Sequence, residues 1–273
     1  MSTGKKNGLK KWMILDATNI KLIALFLMVF DHIHQMYALN GAPLWLTMLG
    51  RPVFPMFLFI ATESFQYTRN RKNYLKRLLF ASWGMTALTT VLSILVPNPN
   101  VVLMNNAFST FFVTGLYMQF WDWFVRGIKQ RKPLLIIKSL LGGFIPILCT
   151  APLLLAGALS ANENIPFIFI RMLVFISLLI PNIITVEGGF LLVVLGVLFY
   201  IFREKRMFQI VILLLMSMAL YLMNHGGIQW LMCGAVIPML LYNGERGRGL
   251  KLFFYIFYPA HIIVLYLVAT VLT

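Results

Sequence analysis

The chain has 273 residues, of which 60% are hydrophobic and only 11% charged, with a mean hydropathy of +0.84. Soluble domains carry roughly 25% charged residues, so this composition excludes an ordinary soluble protein and indicates an all-α, polytopic membrane helical bundle. The formal net charge of +15 does not indicate nucleic-acid binding, because Lys and Arg fall in short gaps between apolar spans rather than along an aromatic-interleaved stripe. The expected partner is the lipid bilayer, and no nucleic acid.

A hydrocarbon core about 30 Å thick needs roughly 20 apolar residues per helix. Hydropathy and breakers place such segments near 20–39, 44–67, 76–96, 107–125, 134–158, 166–181, 187–202, 207–223, 226–242 and 251–272. This predicts about nine or ten transmembrane helices in a single domain, 20–273, behind a basic N-terminus, 1–19. Lys5, Lys6, Lys10 and Lys11 precede the first segment, Arg69, Arg71, Lys72, Lys76 and Arg77 follow the second, and Arg126, Lys129, Arg131 and Lys132 follow the fourth. The positive-inside rule sets these clusters and the N-terminus in the cytoplasm, as in a multi-pass protein of the inner or plasma membrane. A cleaved signal peptide shares the basic-then-apolar order, but the apolar run is too long and no small-residue cleavage site follows cleanly. Nine crossings keep residues 203–206 and 245–251 inside, and ten put them outside. The ambiguity lies between 134 and 202, where Pro146, Pro152, Pro166 and Pro181 can break helices. There is no internal repeat of the kind that builds many secondary transporters.

The first segment contains Asp31-His32. An Asp at the centre of a membrane helix costs roughly 2.5–3.5 kcal/mol on insertion scales, so such groups normally face protein and serve a function. Folding the first two segments back on each other about Gly41 sets Asp31 level with Arg51, and Lys21 level with Glu63. Gln35 lies within one helical turn of both Asp31 and His32. Pro52 and Pro55 start or kink the second helix, which points Arg51 into the cavity these polar groups would line. Glu63 and Tyr67, four residues apart, can line a path to the cytoplasm, with Arg69 at its exit. In the last segment His261 follows Pro259 and is a second acid/base candidate.

Other polar residues read as structural. His34 lies nearer the outer rim, His225 falls in the turn Asn224-His225-Gly226-Gly227, and Glu187 precedes a helix start. The run Gly244-Glu245-Arg246-Gly247-Arg248-Gly249 lacks the strand and the terminal Lys-Ser or Lys-Thr of a phosphate loop and reads as a flexible membrane-face loop. Cys149 and Cys233 follow no metal-ligand spacing and read as buried thiols; no metal is expected.

Three stretches resemble the TraX family: Ile20-Lys21-Leu22-Ile23-Ala24 running to Phe30-Asp31-His32-Ile33; Gly50-Arg51-Pro52-Val53-Phe54-Pro55-Met56-Phe57 on to Glu63, Tyr67 and Arg69; and Gly244-Glu245-Arg246-Gly247 with Tyr258-Pro259-Ala260-His261. The family includes the acetylase of conjugative F-type pilin and is related more loosely to multi-span acyltransferases. Between about 80 and 240 the resemblance is one of hydropathy only. The resemblance implies transfer of an acetyl group from acetyl-CoA, a co-substrate, to an acceptor, an N-terminal amine in the pilin case; for this chain the acceptor stays open between an amine and a hydroxyl, on a peptide, protein or glycan.

Acyl transfer from a thioester needs a base for the attacking group and a partner for the oxyanion. On this reading His32 is the base and Asp31 orients the imidazole or a neighbouring cation. Arg51 binds the oxyanion or an acceptor carboxylate, and His261 is the second acid/base group. Arg69, Arg71, Lys72, Lys76 and Arg77 would meet the anionic nucleotide of acetyl-CoA. Two other classes fit the composition: a proton-coupled transporter or permease using Asp31, His32 and Glu63, and a non-catalytic membrane assembly factor.

Overall fold

A computed structural model describes residues 12–162 and 164–272; Lys5, Lys6, Lys10 and Lys11 lie outside the described residues. The helices in chain order are α1 Ala17–Tyr37, α2 Trp45–Gly50, α3 Val53–Gln66, α4 Arg71–Leu95, α5 Ala107–Lys129 and α6 Pro133–Leu148. They continue with α7 Ala151–Leu159, α8 Phe167–Leu179, α9 Gly189–Ile201, α10 Arg206–Met223, a 3-10 segment Gln229–Ala235, α11 Val236–Leu241 and α12 Lys251–Leu272. Each of the ten expected apolar segments coincides with one of these helices or with a closely joined pair. Among the described residues six spans are long and apolar enough to cross a membrane: Ala17–Asn40, Trp45–Gln66, Arg71–Leu95, Pro133–Leu159, Arg206–Met223 and Lys251–Leu272. Large apolar side chains such as Phe26, Leu141, Leu215 and Val264 stand more than half exposed, as lipid-facing positions require.

The chain divides into two compact units. The first comprises the residues up to Ser64, Leu92–Val102, and everything from Phe202 onward. Here the Asp16 carboxylate caps α1 by accepting from the Asn19 N–H at 2.7 Å. The buried face of α1 includes Ile20, Ala24, Met28, His32 and Met36, an i, i+4 stripe on which His32 sits among apolar neighbours. Gly41, at φ +84°, supplies the left-handed residue that turns the chain toward α2.

The stretch expected to be a flexible loop after residue 242 is instead held across the start of α1. Leu15 pairs with Leu241 and Asn243 through backbone bonds of 3.0 and 2.9 Å, the Ala17 N–H donates to Glu245 O at 2.9 Å, and the Thr18 hydroxyl donates to Arg248 O at 2.7 Å. Gly247, at φ +67°, lies so close to Asp16 that a Cβ there would stand 2.4 Å from the carboxylate carbon.

These ties make α1 and α12 run in the same direction. Their beginnings meet through Thr18 and Arg248, Lys21 Nζ lies 5.5 Å over the Phe254 ring one turn further on, and His32 meets His261 deeper still. At the far end of α12 the Tyr266 hydroxyl donates to Val96 O at 2.8 Å, and Asn98 Nδ2 donates to the Thr270 hydroxyl at 3.1 Å. Residues 15–18, 203–206 and 242–250 therefore share one end of this unit, the Arg206 guanidinium donating to Tyr242 O at 2.6 Å. Residues 96–98 share the other end with residue 270.

The second unit comprises Phe65–Val91 and Leu103–Ile201. Buried Phe65, Met118 and Tyr200 form one cluster, with Tyr74, Leu75 and Trp121 packed on it; Val113, Val186 and Val193 form another. The prolines behave as breakers: Pro152 lies in the first turn of α7, Pro166 caps α8 and Pro181 follows it, while Pro146 is accommodated inside α6. Cys149, which caps α6, and Cys233, inside the 3-10 segment, are free thiols, both half-buried rather than buried.

Candidate active site

The first unit gathers its polar residues into two adjoining groups. His32 and His261 are 2% and 8% exposed, and His32 Nδ1 lies 2.6 Å from His261 Nε2. Their ring centroids are 4.9 Å apart with 23° between planes. An N···N separation so much shorter than the centroid distance means that the rings meet edge to edge through these nitrogens, the geometry of a ring N–H pointing at a ring lone pair.

The other nitrogen of His261 sets the direction of that bond. His261 Nδ1 lies 2.8 Å from the Phe257 carbonyl, which only accepts, so Nδ1 carries a proton. Neutral His261 then offers Nε2 as an acceptor. His32 Nδ1 is therefore the donor, and the lone pair of neutral His32 lies on Nε2. The Phe257 ring stacks on His261 at 5.1 Å and 17°, fixing the plane of the imidazole. Pro259, two residues earlier, removes one intrahelical donor beside this site.

The second group is built by the break between α2 and α3. Pro52 has no N–H to offer the Met48 carbonyl, which accepts instead from Arg51 N at 3.3 Å. This tightening deprives the Thr47 carbonyl of its usual donor, and Arg51 Nε supplies one at 3.0 Å. The rest of the guanidinium reaches Asp31 Oδ1 at 2.6 Å, Gln229 Oε1 at 3.1 Å and the Thr47 hydroxyl. The Thr47 hydroxyl donates to Asp31 Oδ1 at 2.5 Å. Four of the five guanidinium N–H groups are thus engaged, leaving one on Nη1. Asp31 and Arg51 retain 28% and 26% side-chain exposure, whereas the histidine pair is enclosed.

Gly50 makes the close approach possible. A Cβ at this position would stand 2.3 Å from Asp31 Cβ and 2.5 Å from its carboxylate carbon, and neither is the far end of a flexible chain. Gly50→Ala is expected to push α2 away from α1 and to cost about 1–3 kcal/mol by overpacking. A lower Tm in detergent checks this, and an unchanged Tm would show that α2 yields freely.

The expected residues separate into those brought together and those not. Asp31 meets Arg51 and His32 meets His261, although Asp31 and His32 turn to different partners because neighbouring helix positions point about 100° apart. Lys21 does not pair with Glu63. Its ammonium lies over Phe254, while Glu63 is within electrostatic reach of Arg206 and Arg203. Gln35 is half-buried one turn along from Asp31. His34 turns away from the pair, its Nδ1 buried with no hydrogen-bond partner, and His225 packs edge-on against Tyr221 in its turn. Tyr67 lies past the end of α3 at 76% exposure. Arg69, Lys76 and Arg77 are exposed in the second unit, whereas Arg71 is committed to Asp122 and donates to the Tyr200 hydroxyl at 3.2 Å. Tyr200 in turn donates to Asp122 at 2.8 Å.

Thr47, Gln229 and Asp122 were not anticipated. Asp122, a carboxylate inside an apolar run, carries the same signal as Asp31; Thr47 and Gln229 carry none, since a hydroxyl or amide at a helix break is common.

An all-helical membrane bundle with an enclosed histidine pair beside a partly exposed Asp–Arg pair is the class of protein this arrangement defines. The sequence model of the family described as TraX protein matches residues 16–269, nearly the whole chain, and the protein belongs to the TraX family. No curated protein and no solved structure matches it.

Proposed function

We propose that the protein is an acetyltransferase that moves an acetyl group from acetyl-CoA to an amine or hydroxyl acceptor, with His32 as general base and His261 as the group that orients it. The observation that carries this reading is the chain of contacts from the Phe257 carbonyl through His261 to His32 Nδ1, which with both rings neutral sets the basic lone pair on His32 Nε2. As the acceptor nitrogen or oxygen attacks the thioester carbonyl, its proton passes to Nε2. The tetrahedral intermediate then breaks its C–S bond, and the departing thiolate takes that proton and leaves as CoA thiol. His261 stabilises the imidazolium through Nε2 without needing to be protonated itself. The remaining Nη1 N–H of Arg51 is suited to an acceptor carboxylate or to the oxyanion.

Parallel α1 and α12 support an odd number of crossings, as nine gives, and group residues 203–206 and 242–250 with the start of α1. With the N-terminus cytoplasmic, Lys21, Arg246 and Arg248 then lie at the mouth through which acetyl-CoA enters. His32 is eleven residues beyond Lys21, about 16 Å along the helix, a reach suited to the pantetheine arm. The permease reading loses support because Asp31 is tied to Arg51 and Thr47 rather than to His32 or Glu63.

The test is labelled acetyl-CoA incubated with membranes containing or lacking the protein, followed by mass spectrometry of newly acetylated species. Acetylated product that depends on the protein and on His32 is expected. Proton flux in proteoliposomes without acetyl incorporation would overturn the proposal in favour of a permease.

A further inference from the structure

The turn joining α5 to α6 in the second unit encloses a depression of about 660 Å³ lined by Arg126, Gln130, Arg131, Lys132 and Lys138 together with aliphatic side chains. Its lining contains four cations and no carboxylate, and among the described residues neither ion pair involves any of the four. The walls are held: Lys132 N donates to Gly127 O at 2.9 Å, and Gly127 is so close to α6 that a Cβ would stand 2.7 Å from Ile136 Cγ1.

Two features distinguish this basic notch from an ordinary solvated loop. Lys138 stands six residues beyond Lys132, inside the span Pro133–Leu159, on a helix whose Leu134, Ile137, Leu141 and Ile145 are 51–64% exposed. A lysine so placed lays its stem along lipid-facing surface and raises its ammonium to the rim. Arg131 adopts φ +52°, the left-handed region where glycine fits without a steric penalty and most other residues do not. The chain keeps a cation at a position where its backbone favours glycine.

We propose that this notch binds the phosphate of an anionic phospholipid, whose acyl chains lie along the exposed aliphatic stripe of α6. The recognised chemistry is a phosphate monoanion or dianion met by four cations. The continuity of the cations with lipid-facing aliphatic surface favours a lipid over a soluble phosphate. The site is independent of the acyl-transfer reading.

The experiment uses the full-length protein in neutral detergent, with phosphatidylglycerol, phosphatidylcholine of the same chains, inorganic phosphate or CoA added. Native mass spectrometry and thermal unfolding are the readouts. Phosphatidylglycerol is expected to bind and raise Tm, and phosphatidylcholine to do neither. Removing two cations in Arg131→Gly with Lys138→Gln should weaken phosphatidylglycerol roughly thirtyfold, at about 1 kcal/mol for each cation near the surface. Arg131→Gly suits the backbone and should leave the lipid-free Tm unchanged or raised, which separates lost binding from lost folding; Arg131→Lys should retain binding. Equal binding of the two lipids, or undiminished phosphatidylglycerol binding by the double variant, would overturn the proposal. Displacement of the lipid by CoA or inorganic phosphate at comparable concentrations would overturn it in favour of a soluble phosphate ligand.

Discussion

Replacing His32 with alanine is expected to lower acetyl transfer by a factor on the order of 10²–10⁴, the usual contribution of a positioned general base. The measurement is initial rate with labelled acetyl-CoA at matched protein, with Tm in detergent to confirm that the variant is folded. The size of the loss should depend on the acceptor. A terminal amine has a reference pKa of roughly 7.7–8.0 and becomes nucleophilic by itself as pH rises, whereas a hydroxyl stays protonated throughout. With an amine acceptor, raising pH from 7 toward 9 should therefore recover part of the His32→Ala rate; with a hydroxyl acceptor it should not. A folded His32→Ala variant with full activity at neutral pH would remove His32 from the mechanism. His261→Gln, which keeps an oxygen to accept from His32 Nδ1, should retain more activity than His261→Leu. That ordering is what an orienting role demands and a direct proton donor does not.

Removing the guanidinium in Arg51→Met is expected to destabilise the first unit measurably. Breaking a fully buried ion pair from one side costs about 3–5 kcal/mol, because the remaining charge is left uncompensated. Asp31 and Arg51 are each about a quarter exposed, and water recovers part of that loss, so about 1–3 kcal/mol is expected. The same substitution leaves the Thr47 carbonyl and Gln229 Oε1 without this donor. Asp31→Asn combined with Arg51→Met should be less damaging than the sum of the single changes, with a coupling of about 0.5–3 kcal/mol in a double-mutant cycle of detergent unfolding. Strict additivity would show that the two side chains do not act on each other.

Much of the helical organisation was legible in the chain because lipid imposes a constraint that composition records directly. Every backbone polar group must be satisfied within the membrane, so apolar runs of the right length become helices whatever surrounds them. The depth matching of Asp31 with Arg51 was also legible, since a short turn at Gly41 leaves an antiparallel hairpin little freedom of register. The same reasoning failed for Lys21 and Glu63. Equal depth says nothing of azimuth, and Lys21 faces α12 and the ring of Phe254, a neighbour more than two hundred residues away in sequence.

The amino-acid sequence alone established a polytopic helical membrane protein, a resemblance to the TraX family, and the energetic anomaly of Asp31-His32. Each rests on local composition, spacing or motif. Only the tertiary structure decided that His32 and Asp31 turn to different partners, that His32 meets His261 on a helix parallel to α1, and that Gln229 joins the Arg51 network. These depend on which faces of distant helices meet. The hydropathy of a helix is insensitive to that choice, because a lipid-facing leucine and a core leucine are written with the same letter.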